Sequence, residues 1–402
     1  MPSPIVRKPQ NLLQLEEPLD PKKAAPSMRA FLELAFRPLY LAGVAWALVA
    51  IAIWIYAPQV LTGPLQGIAW HAHEMLWGFI ATIAVGFLMT AGSNWTGINP
   101  LQGRALAVAS GLWLIARMGY LAGSPLAFWI AVAAELGFYL LAAVAMMRAV
   151  YRTKNTRNYA VPWLLVGLGG ADALYLVAAL SGDYGLLMQR FNAGLVVMAL
   201  IALLIGRRVI PFFAMRATPG LDIPKHTGTG QVQLGACTVA ALCQLAGWPL
   251  PAAAALVLAG GLALIQVVSW KPWAVRSNPL LWILYAGYGG LGVGLVLAAL
   301  AAAGIALPRV LPVHVIAMAG FSVLIIGMVT RTALGHLGRP LATDGSMRAS
   351  YGLMLVAVAL RLAAVVDAPS STGFLQLSAA TWIAALALYL WRFTPMLIRP
   401  RL

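Results

Sequence analysis

Long apolar runs, broken by short polar, basic or proline-containing stretches, account for nearly all of the chain after residue 35. They fall at about 37–57, 67–93, 104–122, 125–147, 160–180, 185–206, 231–248, 252–270, 279–301, 311–334, 350–366 and 374–394. Each is long enough to cross ~30 Å of hydrocarbon at about 1.5 Å per helical residue. The pattern predicts an all-α fold, a polytopic transmembrane helical bundle of about twelve helices, with no internal repeat. The seventh and eighth runs are separated only by the turn Pro249-Leu250-Pro251. Residues 1–35 differ in kind. They are polar, punctuated by proline and basic at Arg7, Lys8, Lys22, Lys23 and Arg29, with no apolar core ahead of a cleavage site. They read as a disordered cytoplasmic tail rather than a signal peptide, and residues 36–402 as one transmembrane domain.

Composition closes off the soluble alternatives. Of 402 residues, 61% are hydrophobic and 9% charged, against roughly 25% charged in soluble domains. A net charge of +16 would suggest nucleic acid in a soluble protein, but no basic and aromatic strip or groove-reading motif accompanies it. Position explains the charge instead. With the tail inside, 23 of the 27 Lys and Arg residues fall in cytoplasmic segments, Arg309 alone falls outside, and Arg117, Arg190 and Arg361 lie within helices. That bias places both termini in the cytoplasm of a bacterial-type inner membrane, with anionic lipid as the partner of the basic loops. Cys237 and Cys243 sit six apart in one apolar run and face different ways, so no disulfide framework is expected.

Charged residues inside helices are costly and therefore informative, at roughly 2.5–3.5 kcal/mol near the bilayer centre. They are Arg117, Glu135, Asp172, Arg190 and Arg361, with Glu74 near the outer edge. Either these acids and arginines pair to lock the bundle, or the arginines await an anionic ligand such as a haem propionate. The five histidines narrow the chemistry. His71 and His73 open the second helix in Trp70-His71-Ala72-His73-Glu74-Met75, and His314 opens the tenth, all on the outer side. His336 closes the tenth helix on the inner side, and His226 lies in a cytoplasmic loop. On a regular helix His71 and His73 point about 200° apart, and Glu74 and Met75 share the face of His71. His314 and His336, 22 residues apart, would share a face about 33 Å apart if their helix were continuous. Met318 lies one turn beyond His314. Histidine with methionine suits haem iron and copper, while the plainer alternative is interfacial histidines bonded to loop carbonyls.

The segments Phe36-Arg37-Pro38, Trp70–Gly97, Gly206–Phe213 and Thr330–Leu341 resemble the NnrS family, in the same order and over most of the chain. The resemblance implies a haem- and copper-containing membrane protein linked to nitric oxide tolerance in denitrifying or nitric-oxide-exposed bacteria. It singles out His71, His73, Glu74, Asn94, Trp95, Arg208, Pro211, His336 and Arg339. Two departures are Leu337, in place of a small polar residue, and the paired Arg207-Arg208. Haem-copper oxidases share the placement of histidines on the second and tenth helices, but here the sixth and seventh helices carry none, so that type of binuclear centre is unavailable.

These observations predict haem b in the outer half, ligated by His314 and one histidine of the His71/His73 pair. Arg117, Arg190 or Arg361 would neutralise its propionates, and Met75 would be a further metal ligand. Attachment is non-covalent, since there is no CxxCH motif. On the inner side, His336, Arg331, Arg339, Asn94-Trp95 and Arg208 are expected around a second site, for a metal, a haem or a small polar substrate. Asp172 and Glu74 complete the polar candidates. A redox metalloprotein acting on nitric oxide is one function class. A transporter or channel is the other, suggested by the glycines of the ninth helix and the intramembrane charges. No electron donor is indicated.

Overall fold

The computed structural model describes residues 25–366 and 371–401. Most of the basic tail and the predicted outer loop at Ala368 lie outside these. The described end of the tail is folded. Met28–Phe31 form a helical turn capped by Ser27, whose backbone N–H donates to the Ile398 carbonyl at 2.9 Å.

Twelve long helices follow among the described residues. They are α1 (Phe36–Tyr56), α2 (67–96), α3 (Gly103–Ala122), α4 (Pro125–Arg152), α5 (Ala160–Ser181) and α6 (Tyr184–Ala217). Then come α7 (Thr227–Leu245), α8 (Pro249–Ser269), α9 (Pro279–Ala302), α10 (311–336), α11 (Gly345–Val366) and α12 (Ser371–Leu397). Eleven of these are long and apolar enough to cross a membrane. The remaining helix, α7, has 19 residues and a more polar sequence. Its buried Gln233 donates to the Ala259 carbonyl on α8 at 3.1 Å, which satisfies a group that hydrocarbon could not.

Boundaries follow local chemistry. Ser124 and Asp183 cap α4 and α6 through side-chain oxygens, and Pro125 fills the first position of α4, where no donor is needed. α2 is the centre of the bundle, packed against α1, α3, α4, α6 and α10. Its apolar window is 89% buried, against 28% for α11 at the rim. At the inner end, Asn155 donates to the Trp95 carbonyl at 2.7 Å and Arg208 to Asn158 at 2.8 Å. The loops after α2, α4 and α6 therefore meet at one end.

Both α2 and α10 turn π-helical directly after a histidine, over Glu74–Ala81 and Val315–Ser322. The i→i+5 pattern leaves carbonyls that a hydroxyl one turn on can take. Thr82 donates to the Trp77 carbonyl at 3.1 Å, and Ser322 to the Ala317 carbonyl at 3.0 Å. Eight π residues alter the regular 100° count between His314 and His336, because each turns the chain through less than an α-helical step.

The ninth helix is unbroken, and its glycines serve packing. A Cβ on Gly287 would lie 2.6 Å from the Leu324 backbone nitrogen of α10, and one on Gly290 would strike the Ala319 carbonyl. Gly290→Ala is expected to cost about 1–3 kcal/mol, the usual range for overpacking. Gly289→Ala, with nothing nearer than 4.0 Å, should be near neutral. Thermal unfolding of the two variants in detergent checks this.

Candidate functional site

Two residues of separation send His71 and His73 to opposite sides of α2. His71 faces an apolar cavity of about 210 Å³ between α1, α2, α6, α10, α11 and α12. Its ring stacks on Trp54 at 4.8 Å and 7°, and its Nδ1 is buried with no hydrogen-bond partner. Across the cavity stands His314, whose Nδ1–H donates to the Val310 carbonyl at 2.8 Å. That bond assigns the tautomer and leaves Nε2 as the nitrogen with a lone pair. Met75, Met188, Met318, Arg309 and Arg361 line the same space.

His73 faces the other way, into a group of charges that water does not reach. Its Nδ1 lies 2.9 Å from Glu74 Oε1, and its Nε2 lies 3.0 Å from Asp172 Oδ1 and 3.2 Å from Glu135 Oε2. Arg117 forks across the carboxylates, Nη1 to Glu74 Oε2 at 2.6 Å and Nη2 to Glu135 Oε1. Trp46 Nε1 of α1 donates to Glu74 Oε2. Five helices thus contribute to the group. Gly78 makes room for it, since a Cβ there would sit 2.6 Å from Glu74 Oε2.

The predicted outer-half residues therefore divide. His71, His314, Met75 and Arg361 come together around the cavity. Glu74 parts from Met75 and joins His73. Arg117 is spent on two carboxylates, so it does not face the cavity. Arg190 is elsewhere too, donating to the Leu245 carbonyl at the end of α7 at 3.1 Å. His226 is bonded to Thr229 and Ser269 at 3.2 and 2.6 Å, a structural role.

At the inner end, Asn94, Trp95, Arg208, Arg331 and His336 line a second cavity, of about 850 Å³. Arg157 and Arg216 join them, and among the described residues no Asp or Glu appears in the lining. Arg331 is only 5% exposed. Its guanidinium lies 3.9 Å over the Phe213 ring, and its Nε has no hydrogen-bond partner. His336 packs beside Phe36, ring centres 5.5 Å apart. Arg339 is not part of this lining. Pro211, inside α6, removes a donor from the helix wall behind it. Sequence reasoning missed Trp54, Met188, Arg309, Arg157, Arg216 and Phe213. Nothing in their local sequence distinguishes them from ordinary core, rim or loop residues.

Comparison with known families agrees with this architecture in extent. The family model described as NnrS protein matches residues 30–401, nearly the whole chain. A search among curated proteins returned no match.

Removing the Arg117 fork leaves buried carboxylates uncompensated, which typically costs about 3–5 kcal/mol. Arg117→Ala is accordingly expected to unfold at a much lower temperature, or not to accumulate in membranes. Arg190→Ala, losing one bond to a carbonyl, should stay within about 1.5 kcal/mol of the parent. Equal stability of the two variants in a detergent melting assay would contradict the arrangement.

Proposed function

This chain belongs to the NnrS family, a family of nitric-oxide-related membrane proteins, and from that premise we propose that it is an inner-membrane haem b protein of nitric oxide and nitrosative-stress metabolism, with its iron held between His71 and His314 in the outer cavity. The observation that carries the reading is the pair of histidines from α2 and α10 on one apolar cavity, with the His71 Nδ1 buried and unpartnered.

The donor set fits haem. Two imidazoles would suit haem iron, and the His314 bond to the Val310 carbonyl would orient such a ligand. Arg361 and Arg309 provide the guanidinium groups that bind carboxylates best. When bound, haem iron would supply electron transfer and an affinity for nitric oxide. The protein's own part is to orient the two imidazoles, exclude water with Trp54, Phe79 and Trp382, and neutralise the propionates. The cavity's 210 Å³ is below the roughly 300–1,000 Å³ of small-molecule pockets. Seating a porphyrin therefore requires the flexible thioethers of Met75, Met188 and Met318 to turn aside. Volume and thioethers together favour a second reading, copper(I) held by the same histidines and methionines. Transport loses part of its support, because α9 is continuous and its Gly287, Gly290 and Gly294 pack against α10.

The inner cavity suits a small anion, because a buried guanidinium without a carboxylate partner is costly until an anion joins it.

The absorption spectrum of purified protein tests the outer site. His71→Ala and His314→Ala should each lose or shift the haem bands, whereas His336→Ala should keep them. Unchanged bands in both outer variants would refute the assignment, and a colourless parent with one copper would select the copper reading. For the inner site, nitrite or phosphate should raise the melting temperature of the parent and not that of Arg331→Leu. Equal responses of the two proteins would dismiss it.

A further inference from the structure

The buried charges around His73 do not balance. Glu74, Glu135 and Asp172 are carboxylates, Arg117 is the single fixed cation among them, and every one of these residues is 1% exposed or less. With a neutral imidazole the sum is two negative charges inside the bundle, a state that burial does not tolerate. One divalent cation brings it to zero.

We propose that His73, Glu135 and Asp172 form a binding site for one divalent transition-metal ion, separate from the outer cavity. The three residues offer a ring nitrogen and two carboxylate oxygens that all lie within 4.8 Å of one another. The edges from His73 Nε2 are 3.0 Å to Asp172 and 3.2 Å to Glu135. Bonds of about 2.0–2.2 Å to a tetrahedral centre require edges of about 3.3–3.6 Å, so small outward movements admit the ion. Two oxygens accept no hydrogen bond, Asp172 Oδ2 and Glu135 Oε2, and both are buried, the latter lying 3.2 Å from His73 Nε2.

The surroundings are those of a metal ligand set. His73 Nδ1 faces Glu74 Oε1 at 2.9 Å, the carboxylate–histidine contact that directs the other ring nitrogen to a metal. Arg117 then holds the remaining oxygens of Glu74 and Glu135, so those two carboxylates are oriented from behind. One imidazole and two carboxylates without sulfur suit zinc, manganese or iron(II) rather than copper(I). None of these ligands lines the outer cavity, so this site stands or falls independently of the haem reading.

Metal analysis of the full-length protein in detergent, as purified and after incubation with Zn²⁺, tests the proposal. The parent should hold one equivalent of non-haem divalent metal. Asp172→Asn and Glu135→Gln should hold less than a fifth of that, with the haem bands unchanged. Metal retained at the parent level in both variants would overturn the site. So would a parent that contains no such metal and takes up no Zn²⁺, the result expected if protons alone balance the charges. Should neither variant fold, the parent's metal content and Zn²⁺ uptake decide. Loss of the haem bands in His314→Ala, with this metal retained, would confirm that the two sites are independent.

Discussion

The Arg117 guanidinium can be stable in the interior of this bundle only if its charge is met at contact distance. It is met by Glu74 of α2 and Glu135 of α4, and through His73 by Asp172 of α5. Because a lone charge there is far more costly than a paired one, the partners cannot drift independently. The position and rotation of α2 relative to α3, α4 and α5 are therefore set by electrostatics as much as by apolar packing. With that side of α2 held, its opposite side is aimed at α10, and His71 arrives opposite His314.

The π-helical segments give this arrangement its local shape. Both begin immediately after a histidine, and a hydroxyl at or just past the end of each donates to a carbonyl five residues back. A π segment widens the helix and shifts the direction of every later side chain. In α2, Glu74 stays with His73, and Met75 lines the cavity of His71. Such segments are weaker than regular helix and recur at functional positions.

Much of the architecture was legible in the sequence for simple reasons. Hydrocarbon demands runs of apolar residues, so each of the twelve predicted spans has a long helix at its place in the chain. The divergence of His71 and His73 followed from the helical step. What the sequence did not carry was pairing across the bundle. Nothing near Arg117 says whether it faces a ligand or Glu74 and Glu135, since those partners come from two other helices. The π segment itself was not legible, since no residue in Val315–Ser322 announces it. The stacking of Trp54 on His71 joins residues of different helices, and one chain cannot report such a contact.

The two faces of α2 carry contrasting chemistry at close quarters. One offers imidazole and thioether in an apolar wall, and the other offers carboxylates, a guanidinium and an imidazole. The side chains of a helix span about 10–12 Å. Two unit charges about 10 Å apart at an effective dielectric constant near 20 interact by about 1.7 kcal/mol. A change of one charge in the outer cavity, were a metal bound there, would thus be felt at the charged group as more than a tenfold change in its preference for a cation. On the intervening helix only Ala72 lies between His71 and His73. The coupling needs no moving part, because the electrostatic field reaches across a fixed helix.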